Sequence, residues 1–279
     1  MKEQGCRTFS DKIIEDVFFQ KDGVHVLVGE KELVLDSSSY TDLFLYPGKE
    51  ISEKEYRRLL SLSGKKKAIG YVSRLLSQRR YTYSQVRTKL VGKFALSEKE
   101  ADEILKGYVE SGILDDSSYA RDFIRDGLDS GYWFPYLRIR LKEKGILSDV
   151  IDAIPETDFD ADEKTLIDRL LVSLDRKRKT SPIQKRRQDI LSELLRRGFG
   201  VDSSRERIDS FYLSMDEEEK EKDARNEELL LKKKAKECYN SLKNGKLTKK
   251  QLREKMVSRL VRKGFPYPKV IEEMDKEGF

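Results

Sequence analysis

Gly112-Ile113-Leu114-Asp115-Asp116-Ser117-Ser118-Tyr119-Ala120 contains a helix stop, a pair of capping carboxylates and a helix start in one short run. Upstream, Ser97 and Glu100 have the S-x-x-E spacing of a capping box. Ala101, Ile104, Leu105, Tyr108 and Val109 follow at helical spacing and make one apolar stripe. Gly112 stands where a left-handed residue closes a helix most cheaply. Asp115 or Asp116 then caps the next helix, whose inward face is Tyr119, Ala120, Phe123 and Ile124. Further on, Leu137, Leu141, Gly145 and Ile146 end another short helix in the form L-x-x-x-G-(apolar).

That ending recurs. Leu141 leads to Gly145-Ile146, Leu194 to Gly198-Phe199 and Leu260 to Gly264-Phe265; at Leu90 the glycine place is taken by Phe94. The spacing is roughly 50 residues, longer for the last pair, a period that implies a repeat architecture. Each repeat reads as three helices. Ala68, Val72, Leu75 and Leu76, then Val86 and Leu90, then Ile104 to Val109 form the first. Phe123 and Ile124, Leu137 and Leu141, and Val150, Ile151 and Ile154 form the second. Leu166 to Leu174, Ile190 to Leu195, and Ile208 with Phe211 form the third. The fourth has Leu231 to Leu242, then Leu252, Met256 and Leu260 behind a Thr248/Gln251 capping box, then Val270, Ile271 and Met274. The expected boundaries are 64–114, 115–157, 158–215 and 229–279, with a charged linker or helix extension at 216–228.

The first 63 residues differ in kind. Val24, Val26 and Val28 alternate with His25 and Leu27, the period of a strand. Lys21-Asp22-Gly23 and Gly29-Glu30 offer turns on either side, Leu33-Val34-Leu35 a further strand, and Leu43-Phe44-Leu45 one more. Ser52 and Glu55 form another capping box and open a helix. The expected fold is therefore mainly α, an elongated tandem array of three-helix repeats behind a small strand-rich module.

Charged residues make up 39% of the chain and apolar residues 37%. Small repeats with solvated outer faces reconcile those figures, because each repeat touches only its neighbours. Lys and Arg number 57 against 51 for Asp and Glu, a net +6. Cys6 and Cys238 lie too far apart in sequence to suggest a disulfide framework, which points to a reducing cytoplasm. No run is apolar enough for a signal core or a membrane span.

Over Lys66–Ile154 the chain resembles the RecX family, the bacterial regulators of the RecA recombinase. The resemblance rests on Ile113-Leu114-Asp115-Asp116 with Tyr119-Ala120, and on Leu137-Arg138-Ile139-Arg140-Leu141-Lys142-Glu143-Lys144-Gly145-Ile146. The motif positions are Leu114, Asp115, Asp116, Tyr119, Ala120 and Gly145. This chain would be a long member, with an added N-terminal module and an added helical repeat. The resemblance implies a monomeric cytoplasmic regulator in DNA repair, recombination and the SOS response. It would lie along the RecA–DNA filament and alter ATPase turnover, filament growth and strand exchange without catalysing a reaction.

No constellation for catalysis, metal or cofactor is found in the sequence. His25 is the sole histidine and is expected at the surface of its strand. Gly64-Lys65-Lys66-Lys67 lacks the remaining residues of a phosphate loop. Asp115 and Asp116 are better explained as caps than as a metal pair. Positive charge, in contrast, recurs at equivalent places. Arg79 and Arg80 lie between the first and second helices of the first repeat, and Arg87 and Lys89 on its second helix. Arg138, Arg140 and Lys142 occupy the second helix of the next. Arg176, Lys177, Arg178 and Lys179 with Lys185, Arg186 and Arg187 do both in the third, and Lys243, Lys246, Lys249, Lys250 and Arg253 repeat the pattern in the fourth.

Solvated helix faces would explain each cluster alone. Their recurrence suggests a stripe that neutralises single- or double-stranded DNA phosphates or contacts the recombinase filament. Tyr81, Tyr83, Tyr132, Trp133 and Phe134 lie near these clusters and could stack on unpaired bases; Pro135 after Phe134 suggests a helix start, with Trp133 expected to pack and the tyrosines left open. A recombinase-independent nucleic-acid-binding protein is the second reading of the same stripe.

Overall fold

The computed structural model describes residues 12–94, 96–243, 245 and 247–278. Cys6 and Lys246 therefore lie outside the described residues, and Cys238 is a free, buried thiol. The chain parts into two compact units, Met1–Ala120 with Lys142–Ile151, and Arg121–Leu141 with Asp152–Phe279.

In the first unit, β1 (Lys12–Gln20), β2 (Gly23–Val28) and β3 (Lys31–Leu35) form an antiparallel meander. Helix α1 (Ser37–Asp42) and the short β4 (Glu50–Ile51) follow, giving the sheet order β3-β2-β1-β4. The expected strand at Leu43–Leu45 is instead the end of α1 and a turn. Asp36 caps α1 by accepting the Ser39 N–H at 2.7 Å, and this local bond outcompetes an extended chain. Helix α2 (Glu53–Gln78) opens on the Ser52/Glu55 capping box and lays Tyr56 and Leu59 against Ile14, Val24, Val26 and Leu35 of the sheet.

Two segments read separately in the sequence are thus one helix of 26 residues. Gly64 lies within it, since an interior glycine costs only about 1 kcal/mol and its neighbours are good helix formers. The far half of α2 packs Ala68, Val72 and Leu75 against α3 (Tyr83–Phe94) and α4 (Glu98–Glu110) through Val86, Leu90, Ala101 and Leu105.

His25 is a correction to the expected surface position. It is only 5% exposed, stacked on Phe18 and hydrogen-bonded to Asp22 at 2.9 Å and Glu32 at 2.5 Å. The alternation was right, but cross-strand neighbours cover the second face of β2 as well. Burial opposes the imidazolium, yet the two carboxylates outweigh it and hold the His25 pKa above its ordinary value.

The tandem continues through α5 (Asp116–Asp129), α6 (Phe134–Glu143) and α7 (Ser148–Asp152), all three of which cross the division between the two units. In the second unit α8 (Glu163–Arg176), α9 (Ile183–Arg196) and α10 (Val201–Leu213) bury Ile167, Leu171, Ile190, Leu194 and Ile208. Helices α11 (Glu217–Leu242), α12 (Lys249–Arg262) and α13 (Tyr267–Lys276) close on Leu231, Cys238, Met256, Phe265 and Met274. The charged stretch 216–228 is the first part of α11, capped by Asp216. The fold is mainly α, tandem three-helix repeats after a small sheet.

Candidate nucleic-acid interface

The predicted cations sit on or beside α3, α6, α9 and α12, the middle helices of the repeats. Neighbours meet both ends of α3, α6 and α9 and the C-terminal end of α12, whose start is closed by its own Thr248/Gln251 capping box. Gly145, Gly198 and Gly264 follow α6, α9 and α12 with φ of +81°, +94° and +93°. Each lies against the first turn of the preceding middle helix. A Cβ on Gly145 would strike Ser84, one on Gly198 would lie 2.8 Å from the Tyr136 nitrogen, and one on Gly264 would lie 2.5 Å from Lys185 Cβ. The recurring glycine therefore serves two needs at once, a left-handed helix stop and a close approach. Phe94 ends α3, the first middle helix of the tandem, and packs edge-on to Tyr71. No earlier helical repeat precedes it, so the need for close approach is absent.

The other ends carry orphan N–H groups. The Tyr83 N–H donates to Asp116 at 2.8 Å, the Trp133 N–H to the Arg197 carbonyl at 2.8 Å, and the Ile183 N–H to Glu227 at 3.0 Å. Asp115 meanwhile accepts from Ser117 and Ser118 at the start of α5. The adjacent carboxylates thus cap two different helices. Burial, with the Asp115 charge adding to it, pushes the Asp116 pKa up.

Many of the expected contact residues are committed inside the protein. Arg87 pairs with Glu98 at 3.0 Å and Asp102 at 2.7 Å. Arg138 reaches Asp152 at 3.4 Å and the Ile154 carbonyl at 3.4 Å. Arg178 donates to the Leu174 carbonyl at 3.1 Å, Lys185 pairs with Asp189 at 2.7 Å, Arg187 pairs with Asp209, and Arg253 pairs with Asp275 at 2.6 Å. Arg186 is 1% exposed and bridges Asp175 at 3.0 Å and Asp223 at 2.8 Å, out of reach of a phosphate. Lys179 joins the same two carboxylates at 3.1 and 2.8 Å, and the Tyr212 hydroxyl donates to Asp175. Burial opposes the Asp175 charge, but these three donors hold its pKa below the usual value.

Arg79, Arg80, Lys89, Arg140, Lys142, Arg176, Lys177, Lys249 and Lys250 are exposed. The tyrosines are engaged in packing. Tyr81 is buried, with the Arg79 guanidinium 4.3 Å and the Lys89 amine 5.8 Å from its ring centre. Tyr83 donates to Asp102 at 2.7 Å, and burial and that carboxylate push its pKa up to about 12. Tyr132 stacks on Tyr136 at 4.6 Å, and Trp133 on Phe199 at 6.0 Å.

One basic feature escaped the sequence reading. Lys66, Lys67, Arg74 and Lys93 line a cleft of about 400 Å³ with Gly70, Tyr71 and Asp22. Lys93 sits 4.2 Å over Tyr71, while Lys66, Lys67 and Arg74 have no ion-pair partner among the described residues. The signal was the helical spacing of Lys66, Lys67, Gly70, Tyr71 and Arg74, which puts them on one face of α2. Lys93 comes from α3 and no local pattern predicts its arrival.

The fold and this surface define a helical-repeat protein whose cations divide into internal struts and an exposed remainder. Among the described residues no group of three or more His, Cys, Asp or Glu could hold a metal, and no helix is long and apolar enough to cross a membrane. The chain is similar to the regulatory protein RecX of Lactococcus lactis subsp. cremoris (strain SK11), 27% identical over 196 residues, covering 68% of this chain and 71% of that protein. Several regulatory proteins named RecX are similar to it in this way. The regulatory protein RecX of Caldanaerobacter subterraneus subsp. tengcongensis is 25% identical over 144 residues, 52% of this chain and 73% of its own. That of Lactococcus lactis subsp. lactis (strain IL1403) is 25% identical over 255 residues, 85% of this chain and 86% of its own. A crystal structure of regulatory protein RecX shares the fold, with a TM-score of 0.54 and 21% identity, over 69% of this chain and 96% of that one. The present chain is the longer of those two. No family model matches the chain.

Proposed function

We propose that this protein is a non-catalytic, cytoplasmic regulator of the RecA recombinase in DNA repair and recombination. It lies along the RecA–DNA filament and alters ATPase turnover, filament growth and strand exchange. The observation that supports this reading is similarity to regulatory proteins named RecX, in a chain whose tandem repeats expose cations of successive middle helices. Counterion release from DNA phosphates needs charge along a surface and no base reading. Arg79, Lys89, Arg140, Lys142, Arg176, Lys177, Lys249 and Lys250 are the candidates, together with Lys66, Lys67 and Arg74 of the cleft. The deciding experiment measures RecA ATPase on single-stranded DNA at a salt concentration where this protein alone no longer binds DNA. A changed rate means that recombinase is contacted directly. An unchanged rate at every protein ratio removes the reading and favours recombinase-independent nucleic-acid binding through the same cations.

A further inference from the structure

Helices α11 and α13 enclose a cavity of about 260 Å³ lined by Ala224, Glu227, Leu231, Lys269 and Glu273, among others. Most of the charge around it is matched. Glu227 accepts from Lys269 at 2.7 Å, Glu272 pairs with Lys276 at 2.6 Å, and Glu228 pairs with Lys232 at 3.2 Å. Glu273 is the exception. It is 3% exposed, and its Oε1 has no hydrogen-bond partner among the described residues. A buried carboxyl oxygen without a donor costs free energy and is rare in a folded protein. The nearby lysines already hold other acids, so relieving it from within would break an existing pair. Burial also pushes the Glu273 carboxyl up, as expected for an anion that lacks a partner.

We propose that this cavity is a receptor for one cationic group, a guanidinium or ammonium on an aliphatic stem, with Glu273 as its counter-ion. Leu231 and Ala224 supply apolar wall for the stem, and Glu273 supplies the charge-assisted hydrogen bond. The group can arrive as a free amine or as an arginine side chain of a protein partner. This site is independent of the exposed cations assigned to DNA, and its chemistry has the opposite sign.

The test uses the full chain labelled for carboxyl NMR, titrated with agmatine and separately with the peptide acetyl-Gly-Arg-Gly-amide. Binding moves the Glu273 Cδ resonance, and the movement saturates with probe concentration. Glu273→Gln keeps the shape of the side chain, removes the charge and lowers the affinity about tenfold or more, the factor such a hydrogen bond is worth. Glu272→Gln, at the rim and already paired, leaves the affinity unchanged. Saturation by both probes identifies a general alkylguanidinium site, and saturation by the peptide alone identifies a side-chain receptor. No movement of the Glu273 resonance with either probe overturns the proposal, as does equal loss in the two variants. Circular dichroism of Glu273→Gln checks its fold, and the wild-type titration alone remains decisive if that variant is unfolded.

Discussion

Arg186 shows how a charge-rich protein conceals structural charges among functional ones. In the sequence it stands between Lys185 and Arg187 and looks like part of a basic stripe; in the fold it is the buried centre of a network with Asp175, Asp223, Lys179 and Tyr212. Its partner Asp223 is 37 residues away, so no local pattern announces the pair. Removing one member of such a pair strands the other charge, typically at a cost of 3–5 kcal/mol. Asp223→Ala is expected to lose about 3 kcal/mol in denaturant unfolding, and a loss below about 1 kcal/mol would show that Arg186 is satisfied without it. His25 leads to a pH prediction. Its folded pKa is raised, so the stability it contributes is fully present below the unfolded value near 6.5 and is lost as pH rises through the folded value. Unfolding of the sheet module should therefore become easier on going from mildly acidic to alkaline pH, and His25→Gln should flatten that dependence. Equal slopes in the two proteins would mean that the Asp22 and Glu32 contacts are not formed by the charged ring.

Helices were the most legible elements, because caps and apolar stripes are local. The boxes at Ser52/Glu55, Ser97/Glu100 and Thr248/Gln251 all form, each with reciprocal bonds. The recurring glycine could be read as a helix stop, but its second duty could not, since close approach is made by a helix some 50–80 residues earlier. That duty separates two substitutions that look alike in sequence. Gly112 has φ of +72° with open space around it, whereas Gly198 has φ of +94° and the Tyr136 nitrogen 2.8 Å from a would-be Cβ. Gly112→Ala should cost about 1 kcal/mol, the strain of a left-handed alanine alone. Gly198→Ala should cost clearly more, about 2–4 kcal/mol, because backbone must shift as well. Chemical denaturation of both variants checks the order, and equal losses would reduce the glycine to a turn former. The continuity of α2 and the helix at Ser37–Asp42 went unread for the opposite reason. Gly64 and the run Ser37-Ser38-Ser39 carry weak local signals that tertiary packing and the Asp36 cap override.

At the scale of the whole molecule, a net charge of +6 says less than the way the cations are allotted. Cations already paired with carboxylates release few counterions on binding DNA, whereas unpaired ones release about 0.7–0.9 each per phosphate met. Replacing Lys66, Lys67 and Arg74 together by Gln should lower the salt slope of DNA affinity by about 2, while Arg87→Gln and Arg138→Gln should leave it nearly unchanged. Fluorescence anisotropy across a salt series measures both, and a larger change from the paired arginines would reverse the division drawn between them. The way successive middle helices meet has one more consequence. Each seam is made by a glycine from one segment and a first helical turn from the segment before it, with the exposed N–H answered across the same seam. A duplicated stretch running from one such glycine to the next would bring both halves of a compatible seam with it. Length in this lineage can therefore grow or shrink by whole segments through gene duplication or loss, without redesign of the parts that remain.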